Sequence, residues 1–138
     1  MREILFRGKR KDNGKWVEGH YGEYYSGKEN VSCISIPKET ISGSLCYDVI
    51  PETVGQYTGL TDKNDTKIFE GDIVKHIQKY EISGEVKSIA VIKWNEAYSC
   101  WSVEYTNGRI TAFLGTEYHK LEVIGNAHNN PELLEGKA

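Results

Sequence analysis

A chain of 138 residues, 38% apolar and 27% charged, suits one folded unit or two small ones sharing a core, and is too hydrophobic for disorder. Its net charge of −3 weighs against broad capture of DNA or RNA, which depends on Lys and Arg neutralising phosphates. No apolar run approaches the roughly 20 residues of a spanning helix, and the start, MREILFRGKRKDNGKW, lacks the apolar core of a signal peptide, so a cytoplasmic protein without membrane contact is expected.

The first element is a hairpin in which Asn13-Gly14 joins ILFRGKRKD to KWVEGHYGEYY. A two-residue turn there sets Phe6 opposite Tyr21 and Lys9 opposite Glu18, an aromatic pair and a charge pair that both favour the register. VSCISI follows as a strand, and Lys38 to Ser44 is read as a polar loop. Val54 to Leu60 forms the next strand, and Thr61-Asp62-Lys63-Asn64-Asp65 supplies turn formers whose side chains bond their own backbone. Glu70-Gly71-Asp72 makes a tight corner before a β-branched strand, an arrangement similar to that of SH3-like barrels at the level of fold alone.

Beyond the corner, Ile73 to Tyr80 and Val86 to Trp94 read as strands joined at Ser83-Gly84. The run Ile89-Ala90-Val91-Ile92 is apolar on both faces and therefore central. In CWSVEYTNGRITAFL, a type I′ turn at Asn107-Gly108 pairs Thr106 with Arg109, Tyr105 with Ile110, Val103 with Ala112 and Trp101 with Leu114. Gly115 to His119 is read as one helical turn, and Leu121 to Gly125 closes the sheet. The tail, with Asn130 as cap and Pro131 at the first helical position, predicts a short terminal helix. The expected fold is therefore all-β: a small barrel of about five strands packed with an N-terminal hairpin region, residues 1–48 and 49–138 forming one compact unit.

Motifs that carry chemistry are sparse. Asp62 to Thr66 begins like a calcium loop, but Lys67 stands where the loop needs Gly and Ile73 where it needs a bidentate Glu, so a structural turn is expected instead of a metal site. Glu70 and Asp72 are two carboxylates flanking a glycine, a pattern better suited to capping backbone amides than to acid/base work. His20, His76, His119 and His128 are dispersed without zinc-ligand spacing and read as satisfied surface or edge residues. Cys33, Cys46 and Cys100 form an odd set without a CxxC pair, predicting reduced and mostly buried thiols. No nucleophile elbow, P-loop or dinucleotide fingerprint is present, so neither catalytic residues, nor a cofactor, nor a small-molecule substrate are expected.

Charge is uneven along the chain: residues 1–50 hold 8 basic and 7 acidic side chains, residues 51–138 hold 9 and 13. The candidate binding face is accordingly N-terminal. Strand alternation places Arg7, Lys9 and Lys11 together, with Arg10, Trp16 and Tyr21 nearby, and aromatic rings beside cations can stack bases while the cations meet phosphates. Glu18, Glu23 and Asp12 dilute that patch.

Three ordered motifs carry a family resemblance: the opening REILFRGKRKDNGKW, the central VIPETVGQYTGLTDKNDTKIFEGDIVK, and a closing VIGN followed by NPELL. Together they resemble the YopX family of small phage and prophage proteins. In that family Gly is usual where Asp65 stands, and Asp is among the residues that best tolerate the left-handed conformation such a turn needs. The resemblance implies a mostly β fold and work inside a bacterial cell, and it transfers no catalytic residue. The expected role is a non-enzymatic binding or assembly module, self-associating or holding a protein partner; the alternative is a nucleic-acid-binding accessory protein using the N-terminal face.

Overall fold

Alternating apolar and polar residues, broken by Gly, Asn and Asp, give a structure made of antiparallel strands and short 3-10 turns. The computed structural model describes residues 3–37, 44–82, 84–112 and 118–135. The loop read over Lys38 to Ser44, the Ser83 turn position and the stretch Phe113 to Glu117 lie outside them, wholly or in large part. Two units divide the chain, Met1–Tyr57 and Thr58–Ala138.

In the first unit, β1 (Phe6–Lys9), β2 (Trp16–Tyr25), β3 (Asn30–Pro37) and β4 (Ser44–Asp48) form a meander in the order β4-β3-β2-β1, and the start of β5 (Gly55–Thr61) adds to β1. Strand β4 falls in a region the sequence left unassigned. Val17, Ile34 and Val49 form the core, with Phe6, Ile36, Tyr47 and Val54 packed against them. Full burial of such side chains is worth about 1.5–3 kcal/mol each.

The expected N-terminal register is corrected by two residues. Phe6 lies opposite Gly19, Arg7 opposite Glu18 and Lys9 opposite Trp16. The cause is the turn. A type I′ turn needs positive φ at both central residues, whereas Gly14 alone has it (φ 70), and the loop closes more widely through the Arg10 amide on the Lys15 carbonyl at 2.8 Å. Because the shift is even, every side chain keeps its face. Phe6 and Tyr21 still meet, now diagonally, with ring centroids 5.7 Å apart.

In the second unit, β5 continues beside β6 (Lys67–Phe69), and a separate sheet runs in the order β10-β9-β8-β7-β11. Its strands are β7 (Asp72–Tyr80), β8 (Gly84–Asn95), β9 (Cys100–Tyr105), β10 (Ile110–Ala112) and β11 (Leu121–Asn126). Strand β8 is central as expected. Ile68, Val74, Ala90, Ile92, Val103, Tyr105 and Leu121 make the core.

Three expectations are corrected here. The five strands form an open sheet, with β10 and β11 at opposite edges, instead of a closed barrel. The Asn107-Gly108 hairpin shifts by one residue, pairing Ile110 with Glu104 and Thr111 with Val103. Gly108 has φ 91 while Asn107 stays on the negative side, so Tyr105 closes on Arg109 across a three-residue loop, and an odd shift turns Ile110 outward to 53% exposure. The terminal helix is a single 3-10 turn, Pro131–Leu134, because the Asn130 side chain accepts the Asn126 amide at 3.2 Å instead of capping the turn.

Candidate functional site

The basic N-terminal residues are built on β1, β2 and the loop between them. Arg7 and Lys9 share a face of β1, and their cross-strand neighbours Glu18 and Trp16 share it too. The Arg7 guanidinium lies over the Trp16 ring, 5.0 Å from its centroid, which fixes a cation against an aromatic surface. Lys9 is anchored through its backbone, whose amide donates to Thr53 Oγ1 at 2.9 Å.

Arg10 and Lys11 belong to the loop and not to that face. The Arg10 guanidinium donates from Nε and Nη2 to the two Asp12 oxygens at 2.9 and 2.6 Å, and stands 4.0 Å over the Tyr47 ring. This fork raises the Arg10 pKa above its ordinary value and lowers that of Asp12, each chiefly through the hydrogen bond to the other. Lys11 lines an open depression of about 340 Å³ with Asp12, Cys46, Tyr47 and Asp48. Tyr21 lies on the opposite face of β2, against Phe6 and 3.1 Å from Ser32 Oγ. The structure thus gathers Arg7, Lys9 and Trp16, sets Arg10 and Lys11 beside carboxylates, and separates Tyr21 from all of them.

The other candidates resolve into structural roles. Asp62 is buried, and its Oδ1 accepts the amides of Asn64 and Thr66 at 2.8 and 2.9 Å while Oδ2 accepts that of Val123 at 2.8 Å. Asp65 adopts φ 63, the left-handed conformation expected of its place in the turn. Asp72 is buried at the Glu70-Gly71-Asp72 corner, where its Oδ2 accepts the Phe69 amide at 2.7 Å. Among the described residues no three His, Cys, Asp or Glu side chains are placed to hold a metal ion.

His20, His119 and His128 are exposed. His76 is a correction: it is 2% exposed, and its Nδ1 lies 2.8 Å from the buried Tyr105 hydroxyl. Strand β7 lies between β8 and β11, so its inward positions are enclosed from both sides. The thiols also differ from expectation, since Cys33 is buried, Cys46 exposed and Cys100 intermediate.

Sequence reasoning missed one aromatic group. Trp94 and Trp101 are direct partners at the end of the β8–β9 hairpin, edge to face at 5.0 Å, and Tyr98 in the connecting turn is 64% exposed. The segment WNEAYSCW carries the signal, but only the register shows that its two tryptophans face one another.

The family model described as YopX protein matches residues 5–135. The chain belongs to the YopX protein family. No curated protein matches the sequence. Among solved structures, protein EF1440 from Enterococcus faecalis is similar at a TM-score of 0.59 and 23% identity, over 98% of this chain and 100% of that one. That likeness concerns the fold alone. No helix among the described residues is long and apolar enough to cross a membrane.

Proposed function

We propose that this YopX protein is a phage- or prophage-encoded accessory protein of the bacterial cytoplasm, acting as a non-enzymatic binding or assembly module through an exposed aromatic patch. The observation that carries this reading is the tip of the β8–β9 hairpin. Trp94 keeps 41% of its surface exposed while packed edge to face with Trp101, and Tyr98 keeps 64%. Large aromatic side chains held on a fixed backbone supply contact area at low entropic cost, which is why they dominate protein interfaces. The turn is fixed: Asn95 Oδ1 accepts the Tyr98 amide at 3.1 Å, and Ser99 takes φ 50. The buried polar groups support the same reading, because Asp62, Asp72 and His76 bond to the protein's own amides and hydroxyl.

Size-exclusion chromatography with light scattering, paired with pulldown from infected cells, tests this. Self-association or partner capture should weaken in Trp94→Ala and Tyr98→Ala. A monomer at every concentration that also retains no partner would overturn it.

A second reading, a nucleic-acid-binding accessory protein, is favoured by the Arg7–Trp16 stack with Lys9 on the same face. It is the weaker one, because Arg10 is tied to Asp12 and the adjoining depression carries Asp12 and Asp48. Gel shifts across a salt series, with Arg7→Ala and Lys9→Ala, decide it: affinity must fall with salt and with both variants.

A further inference from the structure

Two of the three cysteines stand on neighbouring strands of the first sheet. In the β3–β4 ladder Cys33 lies opposite Asp48 and Ser35 opposite Cys46, so the two cysteines share a face and are diagonal neighbours. The twist of a sheet draws one diagonal together, and Cys46 is close enough that, after burial, it is the main neighbour pushing the Cys33 thiol up.

Their surroundings differ in a useful way. Cys46 is exposed and lines the depression shared with Lys11, Asp12, Tyr47 and Asp48, whereas Cys33 is 6% exposed. Strand β4 ends its sheet, paired with β3 and held at its last residue by the Lys11 amide on the Asp48 carbonyl at 3.0 Å, so its position at Cys46 can adjust at less cost than that of a central strand. Gly22, opposite Cys33 on β2, has no side chain; a Cβ there would come within 3.8 Å of Cys33 Sγ.

We propose that Cys46 and Cys33 form a reversible dithiol–disulfide pair, with Cys46 as the thiol that meets an oxidant of the peroxide class and Cys33 as the thiol that resolves it. The Cys46 thiol attacks one oxygen of hydrogen peroxide, the O–O bond breaks, and Cys46 sulfenic acid and water result. Cys33 sulfur then attacks the Cys46 sulfur, the S–O bond breaks, and the departing hydroxide leaves as water with the Cys33 proton. The peroxide is reduced by two electrons and the two thiols are oxidised to one disulfide.

The product would tie the edge strand β4 to β3. A bridge across a diagonal departs from the preferred disulfide spacing, and a strained bridge is more readily reduced by thiols, so the geometry suits a reversible bond better than a permanent one. The consequence is a first sheet whose edge is locked under oxidant and released by reductant.

The sequence makes the test direct, because Lys38 separates the two cysteines and trypsin therefore places them on different peptides, Glu29–Lys38 and Glu39–Lys63. The full-length protein is treated with one equivalent of hydrogen peroxide, alkylated, digested and analysed by mass spectrometry, with thiols counted in parallel. Expected is a fall from three free thiols to one, a linked pair of those two peptides, and full reversal by dithiothreitol. In Cys33→Ser, dimedone should trap a sulfenic acid on Cys46, and in Cys46→Ser, Cys33 should stay unoxidised. Cys46 driven to sulfinic acid with Cys33 still free, or joined only to Cys46 of a second chain, would overturn the proposal. The wild-type linkage decides the question even where a variant fails to fold.

Discussion

The Asp62 carboxylate accepts the Val123 amide at 2.8 Å across 61 residues of sequence, and its other oxygen accepts two amides of its own turn. One buried side chain therefore holds the turn's shape and binds it to β11. The Lys63 amide reinforces the link by donating to the Leu121 carbonyl at 3.0 Å.

Removing that carboxylate leaves three amides without their acceptor at a buried position. Asp62→Ala should destabilise the fold by about 3 kcal/mol or more, since hydrogen bonds to charged groups contribute about 1.5–3 kcal/mol each. Asp62→Asn should recover only part of the loss, because one of the two oxygen positions becomes a donor. Urea unfolding gives the totals, and hydrogen exchange at the Val123 amide reports the link itself; an unchanged exchange rate would contradict the assignment.

Asp65 carries a side chain at φ 63, where L-residues are strained. Asp65→Gly should stabilise the protein by several tenths to about 1 kcal/mol, the relief of left-handed strain outweighing the greater entropy of unfolded glycine. A thermal melt suffices, and a lower melting point in the variant would show that Asp65 makes compensating contacts.

Two hairpins share one local device. Asn13 Oδ1 accepts the Lys15 amide at 2.9 Å and Asn107 Oδ1 accepts the Arg109 amide at 2.9 Å, each across a left-handed glycine. Asn13→Ala and Asn107→Ala should therefore cost similar amounts, about 0.5–1.5 kcal/mol each, and the double variant should cost their sum within about 0.5 kcal/mol. Chemical denaturation of the three variants checks this, and a large inequality would mean that only one loop depends on its asparagine.

These hairpins also show what the sequence can and cannot convey. Asn-Gly located both turns, because few other dipeptides reverse a chain so readily. It did not fix how many residues each loop spans, since that depends on whether Asn also takes positive φ, and the closing hydrogen bonds decide it. At the N-terminus the error was two residues and left Phe6 and Tyr21 in contact; at β10 it was one residue and moved Ile110 from an expected core face to the surface. Strands with strong apolar pattern, such as β8, were readable. The Asp62–Val123 bond, the diagonal placement of Cys33 and Cys46 and the Trp94–Trp101 pair were not, because each joins residues that only tertiary register or strand pairing brings together. The basic face was half readable: alternation placed Arg7 with Lys9, but the aspartate that ties up Arg10 acts through loop geometry.

Burial, then the hydrogen bond to Cys46 and the nearby Asp48 carboxylate, push the Cys33 thiol up from 9.0 to about 11. The folded protein thus favours the neutral thiol more than the unfolded chain does. The resulting stabilisation is fully present below pH 9.0 and is lost as pH rises through about 11. Unfolding midpoints across that alkaline window should fall more steeply for the wild type than for Cys33→Ser, in which this contribution is absent. Parallel slopes would refute it.

The 62–65 turn has a bearing on assembly. It occupies the outward-facing groups of β11 at Leu121 and Val123, the positions where a strand from another molecule would have to bond. Among the described residues, the flank formed by β10 carries no further strand of this sheet. Addition at one flank yields a closed pair of molecules, whereas growth into a fibre requires two. By occupying the outer groups of β11, a buried aspartate closes that side of the sheet to strand-to-strand pairing.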